Sequence, residues 1–484
     1  MSAGRPILRA GMCPRHGATS AALAAAALLS GCAAFSPDAG IGPVRQTVQQ
    51  RLGQPVQLPH TDAEQAAAQQ QAQALLAQPL SADDAVRLAL LNNRGLRAAL
   101  HDVAIADAER VAAGRLPNPG FSFGRTRRGD EREIERGLHF SLGRLITLPL
   151  ASEAATRRQA QAQAQVAGQA LQLAHDTRRA WVQAVAAEEA LHYSGQVLQA
   201  AQASAELARR MAQVGNFNAL QQAREQAFSA DAALAAARAQ QARLAARERL
   251  VRLLGLWGEP AARLQLPTRL PPLPQADAVQ LERPDIEQQA IAQRLDVQAA
   301  RAGAQQLAGS LGLGRASRFV NLLELGVVRN SSNEEPTERG WELSLELPLF
   351  DGGAGVARAE GLYGQALHRA AETAVNARSE VREAYGAWRS AYDIARHQRD
   401  EVLPLQARIA EQNLLRYNGM LIGVFELLAD ARAQIGGVNT AIESLRDFWL
   451  AQADLDMALI GKPAAGGALP ASSAAAAPAA EAGH

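Results

Sequence analysis

Lysine occurs once in this chain, at Lys462 beside a proline. A phosphate-binding loop needs a lysine behind its glycines at a helix start, so that class is excluded. Cysteine occurs twice, as Cys13 and Cys32, and the five methionines do not cluster, which leaves neither a disulfide framework nor a soft copper site. The nine histidines show no HExxH or other paired metal spacing, and His101, His139 and His175 read as surface or lumen residues rather than ligands. The string Gly120-Phe121-Ser122-Phe123-Gly124 spells GxSxG but lies within a strand-like segment rather than at a strand-to-helix turn, so no nucleophile elbow is expected. Catalytic residues and metal ligands are therefore both expected to be none. The formal charge is +1 without a block of one sign, so no nucleic-acid partner is expected. No stretch reaches the ~18 apolar residues of a membrane helix, so any crossing of a bilayer by the folded chain falls to strands.

What is present is alanine, which inflates a 48% hydrophobic share in which aromatics are only 4%. It is the best helix former, and proline is absent from residues 150–259. At the N-terminus Arg5, Arg9 and Arg15 precede about a dozen apolar residues, the pattern of a secretory signal. The stretch ends in Leu29-Ser30-Gly31-Cys32, which resembles the lipobox of bacterial lipoproteins: residues 1–31 would be removed and Cys32 acylated, for instance with palmitate. No other cofactor is expected. The competing reading is an ordinary signal cleaved near Ala33–Ala34, with Cys32 lost or incidental. Cleavage before Cys32 removes three arginines and leaves 46 basic against 48 acidic residues.

An internal repeat organises the rest. Residues 32–78 form a tether, 79–260 the first repeat, 261–283 a proline-rich linker, 284–461 the second repeat, and 462–484 a low-complexity tail. Each repeat opens with a modest helix, at Ser81-to-Asp84 with its capping-box-like start and at RLDVQAARAGA from Arg294. Two strand-like segments follow in each, residues 120–127 and 137–148, then 319–329 and 340–349. Their alternation places Leu138, Phe140 and Leu142 on one face and His139 and Ser141 on the other. Four strands cannot close a barrel, and open edges are not tolerated in lipid, so they form either a soluble sheet or part of a pooled barrel.

The proline-free run would exceed ~150 Å as one helix and must fold back. The breakers are Val214-Gly215-Asn216-Phe217-Asn218, and in the second repeat Asn418-Gly419-Met420. These predict an ascending helix of about 65 residues and a returning one of about 35–40. Pro404 should kink the second ascending arm. The strand-to-helix junctions are read at Pro149 and at Pro348, Gly352 and Gly353, in ITLPLAS and ELPLFDGG.

The lipobox, the duplicated helix–strand–strand–hairpin unit, LPLFDGG at the junction and RYNGMLIGVFELLADAR at a hairpin tip together resemble the TolC-like outer-membrane efflux protein family, over about residues 75–462. The resemblance implies a mainly α fold with a transmembrane β part: a homotrimer with a twelve-stranded barrel, continuing into a long α-helical periplasmic tunnel. It implies an outer-membrane channel of a tripartite export system, lipid-anchored and opened by a periplasmic adaptor, with an inner-membrane pump as indirect partner. Adaptor contacts then fall on Gly215, Asn216, Phe217, Gly419, Met420 and Leu421. Gly419 stands two residues after Tyr417, with Met420 where the family usually has its glycine. A periplasmic gate would involve Tyr417 and Glu426; a second acid expected nearby falls on Ala429, with Asp430 adjacent, and the first repeat has Gln221. Three copies of Glu426 would form an anionic ring. The other function considered is a periplasmic coiled-coil lipoprotein, a scaffold or adaptor; duplication with two strand pairs favours the channel. The cargo stays open.

Overall fold

The structure, a computed structural model, describes residues 34–59, 61–275, 281–317, 322–346 and 353–463. Cys32, Pro348, Gly352 and most of the expected tail lie outside them. Helices α1 (Gly42–Leu52), α2 (Asp62–Leu75), α3 (Ala82–Asn92) and α4 (Arg94–Ala113) precede strands β1 (Gly120–Arg128) and β2 (Glu131–Ser141). The long helices α5 (Leu142–Gln213) and α6 (Ala219–Leu254) follow, then a single turn, α7 (Glu259–Ala262). The order recurs with α8 (Ile286–Gln293), α9 (Leu295–Ser317), β3 (Leu322–Ser332), β4 (Glu338–Glu346), α10 (Ala354–His397), a π-turn (Gln398–Val402), α11 (Leu403–Asn418) and α12 (Val424–Ile460). The chain divides into two compact units, one built from residues 1–40, 103–160 and 305–364 and the other from the remainder.

The first unit holds an antiparallel sheet in the order β1-β2-β3-β4. Gly129, at φ +64°, opens a two-residue turn between β1 and β2, a conformation that suits the strand twist and is free for glycine. The two hairpins join through β2 and β3, and Asn333 stitches them: its Oδ1 accepts from the Arg132 N–H at 2.6 Å and its Nδ2 donates to the Asp130 carbonyl at 3.1 Å. Phe121 faces Leu138, Leu138 faces Val327 and Val327 faces Trp341, so one face carries an apolar band, and it is exposed.

The strand expected over 137–148 ends at Ser141, and Pro149 lies inside α5. Ser141 pairs with Glu324, and the pairing of β2 with β3 goes no further. From Leu142 the chain is helical, and a helix satisfies its N–H and C=O groups internally. Leu142, Leu145 and Ile146 already have helical spacing. In the second repeat Gly353, at φ +78°, stands directly before α10.

The second unit packs around two buried clusters. Trp181 sits with Leu80, Leu88, Val185 and Leu254, and its indole N–H donates to the Leu80 carbonyl at 2.8 Å. In the other, Trp388 stacks on Tyr392 and Tyr392 meets Phe448 edge-on, with ring centroids 6.4 and 5.7 Å apart. The linker is strapped to these helices: Tyr385 donates to the Leu281 carbonyl at 2.6 Å and Trp449 to that of Pro271 at 3.0 Å. Ser81 caps α3, its Oγ accepting from the Asp84 N–H at 3.1 Å. RLDVQAARAGA belongs to α9, the counterpart of α4 rather than of α3. A single extended residue separates the helices of each pair, Asn93 (ψ 121°) in one and Arg294 (ψ 125°) in the other. The expected tether contains α1 and α2, the latter opened by a Thr61–Glu64 capping box. Ahead of Pro404, which has no N–H to give, the helix widens into the π-turn, where the Gln398 amide donates to the Gly437 carbonyl at 3.0 Å.

Candidate docking tips and gate

Both hairpin tips use the same turn. In the first, the Gly215 N–H donates to the Ala212 carbonyl at 3.1 Å and that of Asn216 to Met211 at 2.9 Å, a Schellman ending with Gly215 left-handed at φ +78°. In the second, the Met420 N–H donates to the Tyr417 carbonyl at 2.9 Å and that of Leu421 to Arg416 at 2.8 Å. Met420 takes the left-handed position at φ +61°, which a residue with a Cβ adopts at a cost of about 1 kcal/mol. The tips therefore superpose position by position, with Gly215 matching Met420 and Asn218 matching Gly423. Asn218 forms a reciprocal capping box with Gln221, at 2.8 and 2.9 Å, whereas Gly423 has no side chain to cap α12.

This alignment explains the candidate residues. Val214, Met420 and Leu421 are 71%, 94% and 73% exposed, and they give the tips an apolar surface. Phe217 is 8% exposed, matched by Ile422 at 8%; both are buried beneath the tips rather than presented on them. Gly419 is right-handed at φ −78°, and Asn216 and Gly215 are exposed. Tyr417 is partly open, 39% exposed. Glu426 is the third residue of α12, the position of Gln221. It stands exposed without an ion-pair partner among the described residues, where the helix dipole favours an acid. Asp430 is held inside its own hairpin by the Asn413 amide, and Ala429 is exposed.

Two polar clusters went unread in the sequence. Glu225, 1% exposed on α6, matches Asp430 in the repeat; it accepts from the Ser204 hydroxyl at 2.6 Å and from the guanidinium of Arg432 on α12. Arg432 also lies over the Phe228 ring, 4.6 Å from its centroid. This ion pair joins the two hairpins a few turns in from their tips. The recurrence of an acid at Glu225 and Asp430 was the available signal.

The second cluster centres on His175, which is buried rather than at a surface. Its Nε2 meets Asp454 of α12 at 2.8 Å, and Arg179 grips the same carboxylate. Burial works against the charged imidazolium, but Asp176 and Asp454 outweigh it and hold the imidazole above its ordinary range. Burial likewise works against the Asp454 charge, and His175 and Arg179 outweigh it, so that carboxyl is held low. Burial pushes neighbouring Asp456 up.

Among the described residues no three His, Cys, Asp or Glu side chains converge as a metal site, and no helix is long and apolar enough to cross a membrane.

No family model and no curated protein matches the chain. Solved structures do. The CmeC outer-membrane channel of Campylobacter jejuni aligns with a TM-score of 0.67 at 17% identity, over 78% of this chain and 85% of that one. The outer-membrane protein VceC of Vibrio cholerae gives 0.65 at 16%, over 78% and 96%. The open state of the MtrE outer-membrane channel of Neisseria gonorrhoeae gives 0.63 at 20%, over 78% and 88%. The chain has the fold of these outer-membrane channels.

Proposed function

We propose that the chain is one protomer of a trimeric outer-membrane channel serving a tripartite export system. The observation that carries this reading is the sheet. It exposes an apolar band on one face and leaves β1 and β4 as open edges, in a chain with the fold of outer-membrane channels. Buried in lipid, unpaired edges are untenable, and three copies joined edge to edge close twelve strands without one. The helical hairpins then supply a periplasmic passage. The chain is a passive conduit without bond chemistry of its own, and an inner-membrane pump supplies the energy and selects the cargo.

In this reading Met420, Leu421 and Val214 give a periplasmic adaptor its apolar contact, with Gly215, Asn216 and Gly419 shaping the turns and Phe217 supporting the first tip from beneath. The Glu225–Arg432 pair holds the hairpins together at rest. Tyr417 and a ring of three Glu426 carboxylates line the mouth, and a lipid on Cys32 adds an anchor.

Light scattering on the detergent-extracted membrane fraction, with wild type and Cys32→Ala, tests the proposal. A heat-sensitive trimer that remains in the outer membrane without its lipid and conducts in planar bilayers is expected. A monomer or dimer released into the periplasm by Cys32→Ala would overturn it in favour of a scaffold.

A further inference from the structure

The strand register sorts the charges of the sheet by face. Around β2 the sequence runs Glu131-Arg132-Glu133-Ile134-Glu135-Arg136, and the period of two sends the arginines one way and the glutamates the other. On the face of the apolar band, Phe123, Arg136, Arg329 and Arg339 stand side by side in one row across the four strands. Toward the hairpin turns the same face adds Arg125, Arg127 and Arg132. Among the described strand residues, neither this end of the face nor its apolar band carries an acid; Asp130, Glu334 and Glu335 belong to the turns beyond the strands. The acids Glu133, Glu135, Glu324, Glu338 and Glu342 all belong to the opposite face. The six arginines are exposed, and none has an ion-pair partner among the described residues.

Like charges directly opposite one another on neighbouring strands repel. A sheet built only for its own stability would set the abundant glutamates against these arginines, and here the pleat separates them. The charge is instead left facing outward, directly above the band of Phe121, Leu138, Val327 and Trp341. The next row is two residues along the strand, about 7 Å away. Strand ends joined to helices lie at the other side of the band.

We propose that this arginine row binds the phosphate groups of lipid headgroups in the leaflet that surrounds the hairpin ends. The inference rests on the channel reading, which puts the apolar band in hydrocarbon and so puts the row at headgroup depth. Guanidinium matches phosphate through paired N–H donors, and a strip extending over four strands fits a layer of phosphorylated lipids rather than one free anion. Trp341, next to the row, has the amphipathic ring suited to the same interface.

The test uses the purified full chain in a neutral detergent, probed by native mass spectrometry with bisphosphorylated lipid A, with phosphatidylethanolamine and with inorganic phosphate. Wild-type trimer should bind lipid A preferentially, and higher salt should weaken that binding. Each arginine near an anionic surface contributes about fivefold, so Arg136→Gln/Arg329→Gln/Arg339→Gln together should lower the affinity about a hundredfold at low salt. Glu135→Gln/Glu338→Gln, on the other face, should not. Equal binding of lipid A by wild type and the triple variant would overturn the proposal, as would equal binding of phosphatidylethanolamine or free phosphate by wild type. If the trimer conducts in bilayers yet shows no such preference, this inference alone fails. If no conducting trimer forms, the channel reading fails and takes the inference with it.

Discussion

Replacing Arg432 by glutamine should loosen the two hairpins from each other. Glu225 is 1% exposed and has two donors, the Ser204 hydroxyl and the Arg432 guanidinium. Without the guanidinium a buried carboxylate keeps one neutral donor. Removing one partner of a buried pair costs about 3–5 kcal/mol, most of it from the charge left behind. The Arg432 side chain is 34% exposed, so water enters where it leaves and offsets part of this, and about 2–3 kcal/mol remains. Loss of the cation–π contact with Phe228 is included in that range. Native-state hydrogen exchange on the amides of residues 219–230 and 424–434 reads the change as local opening, about 30- to 150-fold faster. Glu225→Gln should cost less, about 1 kcal/mol, because its amide still accepts from Ser204 and the arginine head can return to solvent. In that background Arg432→Gln should add little. If Arg432→Gln speeds exchange less than fivefold, or costs as much in the Glu225→Gln background as in wild type, the pair does not hold the hairpins and the reasoning is refuted.

Other outcomes follow from the same geometry. Met420→Gly removes a Cβ from a left-handed position and should slow exchange at the second tip by up to about 1 kcal/mol, partly offset by the unfolded-state freedom of glycine; a faster-opening tip would contradict the strain. His175 is held above its ordinary 6.5, so its stabilisation is complete below that pH and lost as pH rises through the folded-state value, whereas Asp454 contributes above the carboxylate range and loses its share in acid. Asp456, pushed up, opposes the gain at neutral pH, and Arg178, Arg179, Arg283 and Asp176 complete the charges around the group. The melting temperature of wild type should therefore fall as pH rises above 6.5, while His175→Gln should show a flatter profile there. Leu343→Arg places a charge within the exposed apolar band and should cost about 2–4 kcal/mol of insertion stability, read by urea titration in vesicles; no change would place that face outside lipid.

The elements most legible in the sequence were those set by local chemistry. Gly215 with Asn218 marks a reversal because the pair supplies a left-handed residue and a cap; Gly419-Met420 marks the other, with Met420 left-handed and no side-chain cap behind it. Leu138 and Phe140 mark a face because strands alternate. Period two also runs on through Ile146, Leu148 and Leu150, so the change from strand to helix after Ser141 was unreadable from the pattern. His175 looked exposed because its carboxylate comes 279 residues later, and Glu225 looked unremarkable because Arg432 comes 207 residues later. The Phe217 ring was expected at the tip, but the turn that Gly215 permits leaves it buried. Partners this distant leave no local pattern. They surface only when the repeats are aligned with each other, as Glu225 with Asp430.

The edge-to-edge union of β2 and β3 also has a temporal side. Residue 138 must wait for residue 327 to be made before its ladder closes, so the first hairpin spends that interval with both edges open and an apolar face uncovered. Sheets of such high contact order form slowly and are exposed to aggregation while they wait. A chain ended after residue 283 should be found bound to chaperones or degraded; its accumulation as a stable free species would show that the first half can shelter itself.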